Sequence, residues 1–580
     1  MPDKNKYRLT HLLITIVAGL LFIPFLGAVH LFDWDEINFA ECAREMIVSH
    51  DYSNVQLNFR PFWEKPPLFI WLQVLSMKIF GVNEFAARFP NAICGILTLN
   101  LIYYFGRKFN DHKFALIWVF AYAASFLPFL YFKSGIIDPW FNLFIFLSIC
   151  TLLEWFNNNV AGKINRNAIY AGIFAGLAVL TKGPAAILII GLCVLLCRIR
   201  LKLNLFENKK NLLLFIFATI LSGFSWFLFE ILNGNLYIIK EFISYQMRLL
   251  KTEDSDHGGF LLYHFVVLLI GCFPASLFFI SAHRKNPSDT PYQVYVKKWM
   301  LYLFWVVLLL YTLIVQTKIV HYSSMCYFPL TYLAAYSVYQ IVTGQRKLNK
   351  ILFAIGIFIS ILAGTLFTLI TFIEKFKTQI ISSGLIKDEF AMACLNTEVN
   401  WGGYEWMTGI LFLAGCVYFI TRFYFTGKLN MVYGLFATSL ISVLLLTVTI
   451  IPKIEPYSQG PAIEFYESLK GKDVYVETIG FKSYAYLFYT DRQPSHNSPQ
   501  MVAFAKQNEK AMAEQGYPLE TSFNLISRTW MIWHDIDKPA YFAMKADEAN
   551  NVRKNSSHLK ELYKKGGFVF FRRDVPIKEK

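Results

Sequence analysis

The chain has 580 residues, of which 55% are hydrophobic and 17% aromatic, and its formal net charge is +15. The mean hydropathy of +0.41 is higher than that of soluble domains of this length. So much positive charge would suggest nucleic acid as the partner of a soluble protein, but membrane proteins concentrate Lys and Arg on one side of the bilayer. The composition therefore excludes a soluble globular protein, and no nucleic acid is expected as a partner.

Long apolar windows predict about thirteen transmembrane helices. They lie near residues 9–31, 85–106, 114–133, 137–156, 168–182, 183–199, 211–232, 260–282, 297–316, 322–342, 350–374, 406–425 and 430–451. The first window is too long for a signal-peptide core and no small-residue cleavage site follows it, so we expect an uncleaved first span. The chain is thus expected to be an all-α polytopic membrane protein.

The short loops predict the orientation of these spans. Every short loop rich in Lys and Arg, such as those at Arg107, Arg198 and Arg346, falls on the same side, which is therefore expected to be cytoplasmic. An odd number of spans then leaves the N-terminus in the cytoplasm and the C-terminus outside. We expect a multi-pass protein of the cell inner membrane with its long polar segments in the periplasm.

The long polar segments are the outer loops 32–84, 233–259 and 375–405 and the tail from residue 452. The tail alternates short apolar stretches, 473–479 and 567–571, with helix-like segments, 461–469 and 557–564. This pattern predicts a small C-terminal α/β domain. The expected layout is a transmembrane domain over 1–451, which carries the three outer loops, and a periplasmic domain over 452–580.

Most of the nine cysteines lie inside apolar runs, where cysteine behaves as a small hydrophobic residue. Only Cys42 and Cys394 fall in long polar loops. A disulfide between them is left open by the sequence, and no cysteine pair has metal-ligand spacing within a polar segment.

The outer loop 32–84 is dense in carboxylates beside aromatic residues. It contains Asp35, Glu36 and Glu41, and later Glu64 and Lys65. Such a loop suits a site at the boundary between water and lipid, although a solvated amphipathic loop with helix-capping carboxylates explains it equally well.

Further polar residues recur at the outer ends of other predicted spans. They are Asp138, Lys182, Arg248, Asp254, Asp256, His257, Lys318, His321 and Tyr322. One such residue is most often a snorkelling anchor or a helix cap, but ionisable groups at membrane depth are costly and often functional. Together they suit a polyprenyl-phosphate sugar, because cations stabilise a departing phosphate and a carboxylate takes the proton of an incoming hydroxyl.

The same residues stand in motifs that resemble the lipid-A aminoarabinose transferase family of the GT-C superfamily, which also includes protein O-mannosyltransferases. The ordered motifs are Asp35-Glu36 with Phe39-Ala40-Glu41, Phe62-Trp63-Glu64-Lys65-Pro66, Asp138-Pro139, Thr181-Lys182-Gly183, Gln246-Met247-Arg248 with His257, and Lys318-Ile319-Val320-His321-Tyr322. Each motif alone is weak, whereas the ordered set covers essentially the whole chain. The resemblance implies the GT-C fold.

The resemblance also implies roles for individual residues. Asp35 and Asp138 match catalytic carboxylates. The positions near the carrier phosphate are matched by Lys65, Arg248, Lys318 and Tyr322, and further site candidates are Glu36, Glu41, Lys182 and His321. Glu64 and His257 match positions of a divalent metal ion, although two ligands make a weak site and a hydrogen-bonded loop histidine explains His257 equally well. No organic cofactor is expected.

The implied function is transfer of a sugar, with inversion, from a polyprenyl-phosphate carrier to lipid A, another surface glycan or a protein. Asn38-Phe39 stands where the aminoarabinose branch favours Arg-Tyr, and His321 replaces a small polar residue. These departures leave the donor sugar open. The alternatives are a protein O-glycosyltransferase, a flippase or transporter of lipid-linked sugars, which usually shows repeats and midplane sites, and a membrane scaffold.

Overall fold

The structure is a computed structural model that describes residues 4–62, 64–158, 163–204, 207–251, 259–384, 386–514 and 519–576. The α-helices are α1 (Lys4–Phe22), α2 (Asp35–Ser49), α3 (Leu68–Phe80), α4 (Glu84–Phe109), α5 (His112–Ala123), α6 (Phe126–Tyr131), α7 (Asp138–Asn157), α8 (Arg166–Lys182), α9 (Ala185–Leu201), α10 (Lys209–Gly223), α11 (Ser225–Leu232), α12 (Leu236–Lys251), α13 (Tyr263–Gly271), α14 (Ala275–Phe279), α15 (Pro291–Leu309), α16 (Tyr327–Val342), α17 (Lys350–Leu369), α18 (Ile373–Ser382), α19 (Glu389–Leu395), α20 (Trp406–Thr426), α21 (Leu429–Leu445), α22 (Ile451–Ile454), α23 (Gly460–Ser468), α24 (Ala485–Tyr489), α25 (Pro499–Glu514), α26 (Leu519–Trp533) and α27 (Ala546–Asn555). The strands are β1 (Gln56–Leu57), β2 (Arg60–Pro61), β3 (Tyr475–Ile479), β4 (Ala540–Lys545), β5 (Lys560–Lys565) and β6 (Phe568–Arg573).

The chain divides into two compact units. The first unit comprises Met1–Leu26, Trp63–Thr368 and Trp406–Thr447, and the second comprises Gly27–Phe62, Leu369–Glu405 and Val448–Lys580. The second unit therefore joins the tail to two segments from earlier in the chain. The domain layout with a boundary after residue 451 stays a prediction.

Six helices within the described residues are long and apolar enough to cross a membrane. They are Glu84–Phe109, Asp138–Asn157, Pro291–Ile314, Lys350–Ser382, Trp406–Thr426 and Leu429–Tyr457. Two bent pairs, α10 with α11 and α13 with the helical turns up to His283, raise the count to eight if each pair is one span. The other five predicted windows form α1, α5 with α6, α8, α9 and α16, which do not meet the same test of length and composition, so the count of thirteen stays a prediction.

Glycines allow close helix packing in the first unit. A Cβ atom on Gly172 would lie 2.3 Å from the carbonyl oxygen of Phe215, and one on Gly176 would lie 2.0 Å from Oγ of Ser222. Small residues four positions apart let two helix backbones approach, as is common in membranes. The pair fixes α8 against α10 and thereby the position of Lys182, the last residue of α8.

The second unit contains the predicted α/β fold, built on a four-stranded sheet of order β3-β4-β6-β5. β3 runs parallel to β4, whereas the β4–β6 and β5–β6 pairs are antiparallel. The helix expected at 461–469 is present as α23. The prediction of a helix at 557–564 is wrong, because Lys560–Lys565 is a strand. Gly566 and Gly567, at φ 52° and 79°, form a two-residue turn that favours a hairpin, and pairing with buried β6 overrides the helical pattern.

Candidate active site

Asp138 and Lys182 form a buried ion pair in the first unit. Asp138 begins α7 and Lys182 ends α8, where Gly183 stops the helix at φ 93°. Nζ of Lys182 lies 2.7 Å from Oδ1 of Asp138, and the Asp138 side chain is 2% exposed. Ser324 also donates a weak hydrogen bond to Asp138, at 3.4 Å. Both charges suit their helix ends, because a carboxylate is favoured at an N-terminus and a cation at a C-terminus.

Other predicted site residues surround this ion pair. Nζ of Lys182 lies 5.6 Å from the centre of the Tyr322 ring, and the Tyr322 ring contacts that of His321 at 5.2 Å between centres. Both belong to a 3-10 helix over Val320–Cys326. His321 and Lys65 also act electrostatically on Asp138. The structure thus brings together five of the residues that the motifs predict.

Glu64, Lys65 and Arg248 meet around a tyrosine that the sequence analysis missed. The Tyr245 hydroxyl donates to Glu64 Oε2 at 2.9 Å, and Glu64 lies 3.6 Å from Nζ of Lys65. The Tyr245 ring is 5.2 Å from both Nζ of Lys65 and the guanidinium carbon of Arg248, distances that suit cation–π contacts. Tyr245 lies three residues before Arg248 and so on the same face of α12, and this spacing could have indicated from the sequence that the two side chains meet.

Lys318 has a structural function in this arrangement. Its ammonium group donates hydrogen bonds to the carbonyl oxygens of Tyr311, Thr312 and Val315, at 2.9, 2.9 and 2.6 Å. These bonds engage all three donors at the end of a span, and burial lowers the pKa of Lys318. A Cβ on Gly259 would lie 2.8 Å from Cβ of Lys318, so the backbone at Gly259 packs closely against the aliphatic part of the Lys318 side chain. A phosphate role for Lys318 stays a prediction.

The predicted metal site is only partly described. His257 lies outside the described residues, as do Asp254 and Asp256. Glu64 is already engaged by Tyr245 and lies beside the Lys65 ammonium, which disfavours a second cation. Within the described ranges no group of three or more His, Cys, Asp or Glu residues could hold a metal. These residues alone do not fit a metal, and the assignment of Glu64 and His257 stays a prediction.

Asp35 lies in the second unit, at the first position of α2. Trp34, which precedes it, has φ 74° and ψ −112°, a backbone conformation that a bulky residue rarely adopts and that costs about 1–3 kcal/mol. Glu36, also in the first turn, accepts a hydrogen bond from the Phe32 N–H at 2.8 Å. Backbone strain such as that of Trp34 recurs at functional sites. The carboxylates of Asp35 and Glu36 also stabilise the N-terminus of α2, which is a purely structural role.

Glu41 is a buried structural residue of the second unit. Both of its carboxylate oxygens accept hydrogen bonds from Arg44, at 2.6 and 2.7 Å. Arg44 also donates to Asp491 at 3.0 Å and to the Arg492 carbonyl at 2.7 Å. Burial and the neighbouring Glu41 raise the pKa of Glu45 well above its usual value. Glu41 therefore holds the guanidinium group of Arg44, and Arg44 links α2 to the tail.

Two other second-unit residues show features that the sequence did not indicate. Burial raises the pKa of Asp33 above its usual value, against the opposing effect of hydrogen bonds from Ser483, Trp34 and Tyr484. Cys394 is a free thiol, as is Cys42, so the open question of a disulfide is answered in the negative. The Cys394 thiol instead donates to the Gly566 carbonyl at 3.4 Å.

Known proteins resemble this chain in sequence and in fold. Residues 64–227 match the family described as dolichyl-phosphate-mannose-protein mannosyltransferase. The undecaprenyl phosphate-alpha-4-amino-4-deoxy-L-arabinose arabinosyl transferase of Wigglesworthia glossinidia brevipalpis is 27% identical over 389 residues, which are 64% of this chain and 66% of that protein. The matched region is thus just under two thirds of that relative's length.

Two solved structures share the fold along almost the whole chain. The apo structure of ArnT from Cupriavidus metallidurans has a TM-score of 0.73 at 15% identity and covers 97% of both chains. The structure of the same enzyme bound to undecaprenyl phosphate has a TM-score of 0.71 at 15% identity and covers 98% of both. The fold and the sequence match together confirm that this chain resembles the lipid-A aminoarabinose transferases, as its motifs predict.

Proposed function

We propose that the protein transfers a sugar from a polyprenyl-phosphate carrier to an extracytoplasmic acceptor of the lipid A type. The observation that carries this proposal is the first-unit cluster of Lys65, Lys182, Arg248, Asp138 and Tyr322, which unites residues from five separate motifs: Lys182 contacts Asp138 and Tyr322, Lys65 acts electrostatically on Asp138, and Lys65 and Arg248 share the Tyr245 ring. A surplus of fixed cations beside aromatic rings suits a phosphate group whose lipid stays in the bilayer. The ArnT structure with undecaprenyl phosphate supports the same chemistry by analogy.

In this proposal the reaction is a single displacement with inversion. The acceptor oxygen forms a bond to the anomeric carbon while the bond from that carbon to the phosphate oxygen breaks. Asp35 takes the proton of the acceptor hydroxyl, and the electron pair leaves with the polyprenyl phosphate. Lys65 and Arg248 stabilise the charge that develops on the departing phosphate, because charge-assisted hydrogen bonds strengthen as that charge grows.

The membrane arrangement of this enzyme forms part of the proposal. We place it in the inner membrane with thirteen spans, the N-terminus in the cytoplasm and both the C-terminus and the active site in the periplasm. The distribution of Lys and Arg in the short loops supports this orientation. A protein acceptor, as in the mannosyltransferase family that residues 64–227 match, is the alternative to lipid A.

Asp35→Asn tests the proposal, because the amide keeps the volume of the side chain but cannot take a proton. Purified enzyme should lose transfer by a factor of about 10²–10⁴, the usual contribution of a positioned base, while its affinity for the bare carrier stays unchanged. Asp51→Asn is the matched control, since Asp51 lies in the same outer loop and its carboxylate accepts hydrogen bonds from the neighbouring Ser53 and Asn54. Near-normal transfer by Asp35→Asn would refute the assignment.

A further inference from the structure

Side chains of the tail hold the backbone that leads into Asp35. All of these contacts lie within the second unit, between residues 30–34 and residues 455–489. The N–H of Leu31 donates to the hydroxyl of Tyr489 at 2.8 Å. The ring nitrogen Nδ1 of His30 lies 2.6 Å from Oε1 of Glu455. The backbone N–H of His30 also donates to Oε1 of Glu455 at 3.3 Å, so two backbone groups of this loop are bound by side chains more than 400 positions away in the chain.

Gln459 makes the most informative of these contacts, because it uses both ends of its amide. Its amide nitrogen, Nε2, donates to the carbonyl oxygen of Leu31 at 2.8 Å. Its oxygen, Oε1, accepts the N–H of Asp33 at 3.1 Å. One side chain therefore bridges two backbone groups just before Asp35 and sets the distance between them. Among the natural side chains, an amide supplies a donor and an acceptor in this geometry.

A second set of contacts holds the two residues next to Asp35. The half-buried Asp33 carboxylate accepts the Trp34 N–H at 2.9 Å and is hydrogen-bonded by Ser483 and by the backbone of Tyr484. Nζ of Lys482 lies 5.2 Å from the centre of the Trp34 ring. The rare backbone conformation of Trp34 needs such support, because strained residues persist only where the surroundings hold them.

We propose that Gln459 is a positioning residue that sets the geometry of the Asp35 carboxylate through the backbone of residues 31–34. This inference rests on the proposed function, in which Asp35 takes the proton of the acceptor. A base must be held to within a fraction of an ångström, and a displacement of about 1 Å costs roughly 10²-fold in rate. The tail accordingly contributes to catalysis by positioning the base.

Gln459→Leu tests the inference, since it keeps the size of the side chain but removes both hydrogen bonds. The kcat for transfer should fall by about 10–100-fold, while affinity for sugar-free polyprenyl phosphate stays within about twofold of wild type. Gln459→Glu keeps the acceptor for the Asp33 N–H but places a carboxylate oxygen against the Leu31 carbonyl, so its kcat should also fall. Gln493→Leu is the matched control, because Gln493 is a half-buried tail glutamine that binds Asp491 instead.

A purely structural role would lower thermal stability and carrier affinity together with kcat, and that result would overturn the inference. An unchanged kcat in both Gln459 variants would overturn it as well. Asp35→Asn is assayed in parallel to separate the two proposals. Near-normal transfer by Asp35→Asn refutes the role of Asp35 as the base in the proposed function, whereas an inactive Asp35→Asn enzyme beside fully active Gln459 variants refutes only the positioning role. If Gln459→Leu does not fold, Gln459→Glu alone decides, with wild-type kcat as the contrary result.

Discussion

Lys182→Met should destabilise the first unit strongly, because it leaves the buried Asp138 carboxylate without its ion-pair partner. Methionine has nearly the length of lysine but no charge. The lost contact is a 2.7 Å pair in which the side chains of Lys182 and Asp138 are 15% and 2% exposed. Removing one partner of a buried pair costs about 3–5 kcal/mol, whereas removing both charges is often close to neutral. Asp138→Asn in the Lys182→Met protein should therefore recover most of the stability.

The assay is thermal unfolding of the detergent-purified protein, followed by loss of the monodisperse peak in size-exclusion chromatography. Lys538→Met is the matched control, because its ion pair with Asp473 has a 2.6 Å distance but a carboxylate that is 75% exposed. An exposed pair contributes about 0–1 kcal/mol. Equal losses of stability in Lys182→Met and Lys538→Met would refute the reasoning, as would a double variant no more stable than Lys182→Met alone.

Three further predictions concern charge and orientation. The raised pKa of Glu45 means that the folded protein keeps a proton that the unfolded chain releases. The free energy of unfolding should therefore fall as the pH rises from about 4.5 towards the pKa of Glu45 in the folded protein. Glu45→Gln should remove this pH dependence, measured by denaturant unfolding between about pH 5 and 8. Arg248→Lys keeps the charge but loses the planar guanidinium group, which can bind phosphate through two hydrogen bonds. Affinity for sugar-free polyprenyl phosphate should therefore fall by about tenfold in a binding titration, and unchanged affinity would contradict bidentate binding of the phosphate by Arg248. A reporter fused after Lys580 should be active outside the cytoplasm and one near residue 209 inside it, and reversed activities would overturn the orientation.

Local patterns in the sequence predicted most of the fold. Apolar runs mark the long helices such as Asp138–Asn157, and the short apolar stretches 473–479 and 567–571 indicated strands in the tail. The error at 557–564 has a physical cause, since residues with good helix propensity there become a strand when Gly566 and Gly567 close a hairpin onto β6. Pairing with β6 decides this case, and the Gly566-Gly567 pair was its local signal.

The site could be predicted as a set of residues but not as a set of contacts. The motifs identified Asp138 and Lys182, yet only the structure shows them as a pair. Glu41 stands in a motif that predicts a site residue, but both of its carboxylate oxygens accept hydrogen bonds from Arg44. Gln459 has no feature that distinguishes it from other polar residues of the tail. Its importance arises from two hydrogen bonds to residues about 430 positions earlier, which no local pattern encodes.

The separation of these partners has a consequence for biosynthesis. A ribosome that adds about 5–20 residues per second needs roughly 20–85 s to make the 425 residues between His30 and Glu455. Throughout that interval the segment that leads into Asp35 has emerged without the side chains that hold it. We expect a chain that is still being made, or one cut short before residue 455, to be inserted in the membrane and yet catalytically silent. Activity would then begin only after the tail has been synthesised, and pulse-labelling with a timed activity assay can measure this delay.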